Sequence, residues 1–101
     1  MPPKSSTQDR SQHRREAAEV LAVAALGFIA ADPERLSGFL ALSGLDVAHL
    51  RAAARDDGFL AGLMAHVAAD EQLLLAFAAA QGVAPEEVAG ACQALNPDFE
   101  A

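Results

Sequence analysis

Three side chains in the second half of the chain have the residue types and spacing of a simple catalytic or metal site. His66 and Asp70 are four residues apart, and Glu71 follows directly. On a continuous helix this spacing would place the imidazole and the carboxylate on one face, where they could relay a proton or share a metal ion. The simpler interpretation is that Asp70 caps a helix and His66 lies on a polar face, because two ligands without a third of known spacing are weak evidence for a metal.

The other candidates for chemistry are a second aspartate–histidine pair and one cysteine. Asp46 and His49 permit the same two interpretations, and a helix cap is again the simpler one. Cys92 is the single cysteine, so it can form no intramolecular disulfide and no cysteine-based zinc cluster. Its spacing from Val88 and Leu95 matches a core stripe, and its neighbours offer no base or cation. We therefore predict no catalytic residue, no metal and no cofactor, and a protein that is not an enzyme.

A short loop between two predicted helices suggests contact with nucleic acid. The segment Leu42–Leu45, L-S-G-L, resembles the loop of a helix–hairpin–helix motif, whose backbone N–H groups can hold a DNA phosphate. Arg51 and Arg55, and also Arg35, could assist. However, residues 16–101 carry three arginines against thirteen acidic residues, a net charge of −10, and an acidic body repels phosphate. A DNA-associated regulator that uses the Gly44 loop is thus an alternative function, and we expect neither nucleic acid nor a membrane as the main partner.

The start of the chain differs from the rest in charge and hydropathy. Residues 1–15 carry a net charge of +3 and no large apolar residue after the first, so we predict a disordered tail over residues 1–13. Basic residues ahead of the apolar run Val20–Ala31 could also belong to a signal peptide. Glu16 and Glu19 between them do not suit one, and twelve residues cannot span a bilayer. We predict a buried first helix and a cytoplasmic protein.

Composition favours an all-α fold. Alanine supplies 25 of the 101 residues, while tyrosine and tryptophan are absent. We predict a compact bundle of about six short helices, in one domain over residues 14–96 with a C-terminal tail at 97–101. The predicted helices cover approximately Arg14–Ala31, Pro33–Leu42, Val47–Arg55, Gly58–Ala69, the segment after Asp70 and the segment after Pro85. The first of them is apolar on nearly every side of its C-terminal half, which predicts a central position.

Two segments 38 positions apart have the same helix start and stop residues. They are Asp32–Leu45 and Asp70–Val83, each with an aspartate suited to start a helix and a glycine suited to end it. Leu36 and Phe39 of the first segment match Leu74 and Phe77 of the second, on one helix face in both. The repeat predicts two three-helix units packed about a pseudo-twofold axis, and a two-copy solenoid fragment is the alternative.

A resemblance to a known family rests on the same segments. They are Leu21–Ala31 running into D-P-E-R-L at residues 32–36, F-L-A-L-S-G-L at residues 39–45, and D-E-x-L-L-x-x-F at residues 70–77 followed by Gly82. Over about residues 20–95 the chain resembles a family of short, functionally uncharacterised alphaproteobacterial proteins known only as a domain of unknown function. The resemblance implies a small cytoplasmic helical protein and brings no catalytic residues.

The excess of apolar residues is the remaining functional signal. Hydrophobic residues make up 52% of the sequence and the mean hydropathy is +0.18, in a domain of only six short helices. Apolar surface left outside the core would form a partner site or a homodimer face, whereas a fully satisfied core would give a monomer. We predict a protein-interaction or regulatory module that uses apolar and acidic surface around the second, third and fifth helices. The candidate surface residues are Arg35, Arg51, Arg55, His66 and Glu71. A metal-dependent enzyme at His66, Asp70 and Glu71 is the second alternative function.

Overall fold

The computed structural model describes residues 4–97, and within that range the chain is helical with no strand. It contains six α-helices: α1 Lys4–Ala30, α2 Pro33–Ser43, α3 Val47–Ala53, α4 Asp57–Ala69, α5 Glu71–Gln81 and α6 Pro85–Leu95. The prediction of an all-α bundle of about six helices is confirmed. Most of the predicted C-terminal tail, residues 98–101, lies outside the described residues, as do residues 1–3.

Aspartate side chains begin four of these helices. Each accepts a hydrogen bond from a backbone N–H of the first turn, which has no partner within the helix. The N–H to carboxylate distances are 3.0 Å from Glu34 to Asp32, 3.0 Å from His49 to Asp46, 2.8 Å from Gly58 to Asp56 and 3.2 Å from Leu73 to Asp70. The predicted caps are therefore confirmed, and these aspartates have a structural task at the helix starts.

Two glycines end α2 and α5 in the left-handed conformation. Gly44 has a φ of 74° and Gly82 a φ of 70°, values that an L side chain rarely adopts. The Gly44 N–H closes α2 on the Leu40 carbonyl at 2.9 Å, and the Gly82 N–H bonds the Ala79 carbonyl at 3.2 Å. The glycine stops predicted from the repeat are confirmed.

The first helix begins earlier than predicted. α1 starts at Lys4 and not near Arg14, so it places in a helix most of the segment that we predicted as a disordered tail. No proline or glycine interrupts the sequence between Lys4 and Leu26, so nothing in the backbone chemistry stops the helix from extending towards the N-terminus. Residues 12 and 13 of this extension are exposed, as are residues 14–17 that follow it.

The core lies where α1, α4 and α6 meet. α1 contributes a buried row of mostly small side chains, Ala18, Ala22, Ala25 and Ile29, spaced by three and four residues. Alanine side chains permit close approach of neighbouring helices. The predicted central position of α1 holds for this row, but one apolar side of the helix is open to water, because Val20 is 71% exposed and Val23 is 53% exposed.

Two aromatic contacts join residues that the 38-residue repeat relates to each other. The Phe39 ring of α2 lies 5.3 Å from the His66 ring of α4, and the Phe77 ring of α5 lies 5.6 Å from the Phe28 ring of α1. Phe77 stands 38 positions after Phe39, and His66 stands 38 positions after Phe28. Reciprocal contacts of this kind are what a twofold arrangement of two similar units produces. The repeat therefore relates α1 and α2 to α4 and α5.

The third helix of each unit breaks this symmetry. α6 buries Val88, Ala91, Cys92 and Leu95, whereas α3 buries no residue. The sequence gives the reason, since the positions equivalent to Cys92 and Leu95 are Ala54 and Asp57. Ala54 follows the last residue of α3, and Asp57 already begins α4. The short α3 therefore leaves uncovered the side of the bundle that corresponds to the side covered by α6.

Candidate functional site

An apolar groove of about 260 Å³ runs between α2 and α4, and we call it the α2/α4 groove. It is lined by Phe39, Leu42 and Ser43 of α2 and by Gly58, Phe59, Gly62, Leu63 and His66 of α4. Leu42 stands on its rim with 77% of its surface exposed. Burial of such a side chain against a partner would stabilise a complex by about 25 cal/mol per Å² of apolar area. No residue of α3 lines this groove.

Aromatic rings form the floor of the α2/α4 groove. Phe39 is buried, and the Phe59 ring meets its ring at 5.9 Å with an interplanar angle of 75°. The His66 ring meets Phe39 from another side at 65°. Edge-to-face pairs of this kind contribute roughly 0.5–1.5 kcal/mol beyond area burial, so the floor is held in a defined shape before any partner arrives.

A second, larger groove of about 780 Å³ runs along α1 and α6, and we call it the α1/α6 groove. Its lining includes Val20, Leu21, Ala24 and Gln81. These positions lie 38 residues before Gly58, Phe59 and Gly62, and 38 residues after Ser43, all of which line the α2/α4 groove. The two grooves are therefore pseudo-symmetric equivalents. They differ because α6 forms one wall of the larger groove, whereas α3 does not reach the smaller one.

The three residues first considered for chemistry do not form a metal centre. Within the described range of 4–97, no three His, Cys, Asp or Glu side chains come together as ligands for one ion. Asp70 instead caps α5, and the His66 ring packs against Phe39. Glu71 is exposed at the start of α5, where its negative charge interacts favourably with the positive end of the helix dipole. Of these three, only His66 belongs to the α2/α4 groove.

Asp46 and His49 are in contact but are fully accessible to water. The His49 Nδ1 atom lies 2.7 Å from the Asp46 Oδ1 atom, which also accepts the His49 backbone N–H at 3.0 Å. Two hydrogen bonds from His49 hold the pKa of the Asp46 carboxyl below its usual range. The bond from the His49 side chain has the larger effect, and the bond from its backbone N–H the smaller. This pair closes the first turn of α3, as the simpler interpretation predicts.

The loop that resembles a phosphate-binding hairpin has already used its backbone donors. The Gly44 N–H donates to the Leu40 carbonyl at 2.9 Å, and the Leu45 N–H donates to the Ser43 hydroxyl at 3.3 Å. These groups are thus not free to bind an external phosphate. The DNA-associated function stays a prediction, and salt-dependent retention of the protein on DNA would test it.

The three candidate arginines lie on different elements of the fold. Arg35 is held by Asp32, with a distance of 3.3 Å between guanidinium nitrogen and carboxylate oxygen, and it covers the Phe28 ring at 4.8 Å. Arg51 is exposed in α3, and Arg55 is exposed in the turn before α4. Arg35 therefore covers the Phe28 ring, which in turn contacts Phe77, whereas Arg51 and Arg55 stay predicted surface residues.

Cys92 is buried in the core, as its spacing predicts, and Asn96 holds the helix end beside it. The Asn96 Nδ2 atom donates to the Cys92 carbonyl at 2.9 Å and to the Ala61 carbonyl of α4 at 3.0 Å. This amide ties the end of α6 to α4, a role that our sequence interpretation missed. The available signal was an asparagine directly before Pro97, a common combination at a helix end.

We expect the Cys92 thiol to be inert in the folded protein. The side chain is 2% exposed, and burial raises its pKa, so little thiolate forms at neutral pH. Reaction with Ellman's reagent at pH 7.5 should be at least about a thousandfold slower than in 8 M urea, because modification must wait for opening of the fold. Equal rates in buffer and in urea would show that Cys92 is accessible and would contradict its place in the core.

The helices can be compared with the length and apolar character that a membrane span requires. Within residues 4–97, no individual helix combines the length and the apolar character needed to cross a membrane. α4 and α5 meet that test only as a pair, and they are bent by 107° at the break between them.

Comparison with known proteins gives one match. The model of a family described as "Protein of unknown function (DUF3572)" matches residues 15–98. The search of curated proteins and the search of solved structures each find no match. The matched range contains the five helices from α2 to α6 and most of the buried part of α1. It confirms that the chain has relatives in a family of unknown function, as the sequence resemblance implied.

Proposed function

The chain belongs to the DUF3572 family of proteins of unknown function, and from its surface we propose that it is a non-enzymatic protein-interaction module. One observation carries this proposal, namely the preformed apolar α2/α4 groove with Leu42 standing 77% exposed on its rim. Val47, at the start of the neighbouring α3, adds a second exposed apolar side chain at 65%. Apolar surface beside a shaped groove is typical of a docking site for another protein.

Other features of the protein accord with this proposal. The burial of Cys92, the single thiol of the sequence, accords with a non-enzymatic role. A cytoplasmic location accords with the single free cysteine, and an alphaproteobacterial origin rests on the sequence resemblance. Among the candidate surface residues, His66 lines the groove, whereas Arg35, Arg51, Arg55 and Glu71 lie elsewhere on the surface.

Affinity capture with a groove variant tests the proposal. Purified wild-type protein and Leu42→Asp are immobilised and exposed to lysate of the native host. Because the aspartate places a charge on the rim of the apolar groove, we expect a bound protein to be lost from the variant. The matched control is Val20→Asp, since Val20 is 71% exposed in the other groove. Equal capture by wild type and Leu42→Asp would contradict a role for the α2/α4 groove.

A further inference from the structure

Gly62 is a residue of the α2/α4 groove that the fold itself does not require. It lies in the middle of α4 and is exposed, and a Cβ atom added there would meet nothing within 4 Å. Glycine within a helix lowers its stability relative to alanine. Gly58, one turn earlier, differs because its added Cβ would lie 3.3 Å from the Asp56 carboxylate that caps the helix. Gly27, Gly38 and Gly90 are equally exposed and unobstructed in their helices, and of these four glycines it is Gly62 that lines the α2/α4 groove.

The charge around the α2/α4 groove indicates what could approach it. Among its lining residues only His66 can carry a charge. The exposed carboxylates of Asp56 and Asp70 stand at the two ends of α4, and residues 16–101 carry a net charge of −10. An apolar floor in an acidic body suits an apolar ligand flanked by positive charges. A second copy of this chain would instead bring two acidic bodies together.

We propose that the α2/α4 groove binds an amphipathic helix of a partner protein, with lysine or arginine flanking its apolar face and its backbone close to Gly62. This proposal rests on the proposed function, and it adds the chemistry and shape of the partner. The apolar face of the helix covers Phe39, Leu42 and Phe59, and its basic residues face the acidic body. Docking of an amphipathic helix into an apolar groove is a common mode of peptide recognition.

Binding of a synthetic helix tests the proposal directly. The probe is a fluorescein-labelled 18-residue peptide of leucine, alanine and lysine, with leucine spaced for one helix face. A second probe has glutamate in place of every lysine. Fluorescence anisotropy at 150 mM salt should show binding of the lysine probe to the wild-type protein, with an affinity for the glutamate probe at least about tenfold lower.

Two glycine variants separate docking from folding. Gly62→Ala should raise the urea midpoint of unfolding, because alanine is the better helix former and the site has room. It should also weaken probe binding by about tenfold or more, because its methyl group holds the partner backbone away. Gly38→Ala is the matched control. Gly38 is equally exposed and unobstructed within α2 but does not line the groove, so the midpoint should rise while binding is unchanged.

Several results would overturn the proposal. Equal binding of both probes would contradict the charge argument, and binding that survives both Gly62→Ala and Leu42→Asp would exclude the groove. A dimer in light scattering that Gly62→Ala dissociates would show a second copy as the occupant. If the lysine probe fails to bind while lysate capture still depends on Leu42, the proposed function holds and the basic-helix proposal fails. If capture is also independent of Leu42, both fail.

Discussion

Phe77→Ala should lower the free energy of unfolding by about 3–5 kcal/mol, the usual cost of removing a buried phenylalanine. Phe77 is fully buried on α5, and its ring lies 5.6 Å from the Phe28 ring. The Arg35 guanidinium covers Phe28. Removal of the ring leaves a cavity and breaks the aromatic contact between the two units. Domains of this size are stable by only about 5–15 kcal/mol, so the variant is expected to be partly unfolded at 37 °C.

Urea unfolding followed by circular dichroism measures this effect. Phe39→Ala is the informative comparison, because Phe39 is the repeat equivalent of Phe77 but lines an open groove. We expect a smaller loss for Phe39→Ala, since water can enter the space that its ring leaves. Phe77→Leu keeps a measurable folded state if the alanine variant does not fold. Equal losses for the two alanine variants would contradict the difference between a closed core site at Phe77 and a site beside an open groove at Phe39.

Ala22→Leu should destabilise the protein by about 1–3 kcal/mol. Ala22 has no exposed surface and belongs to the alanine row of α1, in the part of the core that α1 shares with α4 and α6. A leucine there has no space and must push the helices apart. The expected loss is notable because leucine and alanine have similar helix propensities, so local structure cannot account for it.

The control for this variant is Ala89→Leu, since Ala89 is exposed on α6. That substitution should change the free energy of unfolding by no more than about 0.5 kcal/mol. Urea midpoints of the two variants are compared with that of the wild type. A stability of Ala22→Leu close to the wild-type value would show that α1 does not pack closely through its alanine row.

The helix boundaries could be predicted because local chemistry sets them. The aspartates at the helix starts and the glycines Gly44 and Gly82 act within one helical turn, so their roles can be recognised from the sequence alone. The start of α1 was missed because residues 4–13 form a polar segment without proline or glycine, which fits either a helix or a tail.

The groove could not be predicted because it depends on a difference between two similar halves. The repeat identified Phe39 and Phe77 as equivalents, but their contacts with His66 and Phe28 come from different helices. That α6 buries four residues in the core, while Leu50 of α3 is only partly buried against it, follows from packing over the whole bundle. The available sequence signal was that Asp57 stands at the repeat position equivalent to Leu95, so the first unit has an aspartate where the second has a core leucine.

The exposed side of α1 was missed for a related reason. Hydropathy alone cannot show whether an apolar helix has neighbours on every side, and Val20 and Val23 face water because α4 and α6 cover the opposite face. A small domain exposes part of its apolar surface in any case. The α2/α4 groove is distinguished from such scattered exposure by its shape and by its aromatic floor.

Chemical-shift mapping would locate the partner helix that we propose to bind in the α2/α4 groove. The ¹⁵N-labelled protein is titrated with the lysine-containing helical probe, and backbone amide shifts are followed. Binding in the α2/α4 groove should shift the amide signals of the groove residues, with little change in α6. These residues are Ser43, Gly58, Phe59, Gly62 and His66. Shifts centred instead on α1 and α6, around Val20, Gly90 and Gln93, would place the binding site in the other groove and contradict the claim.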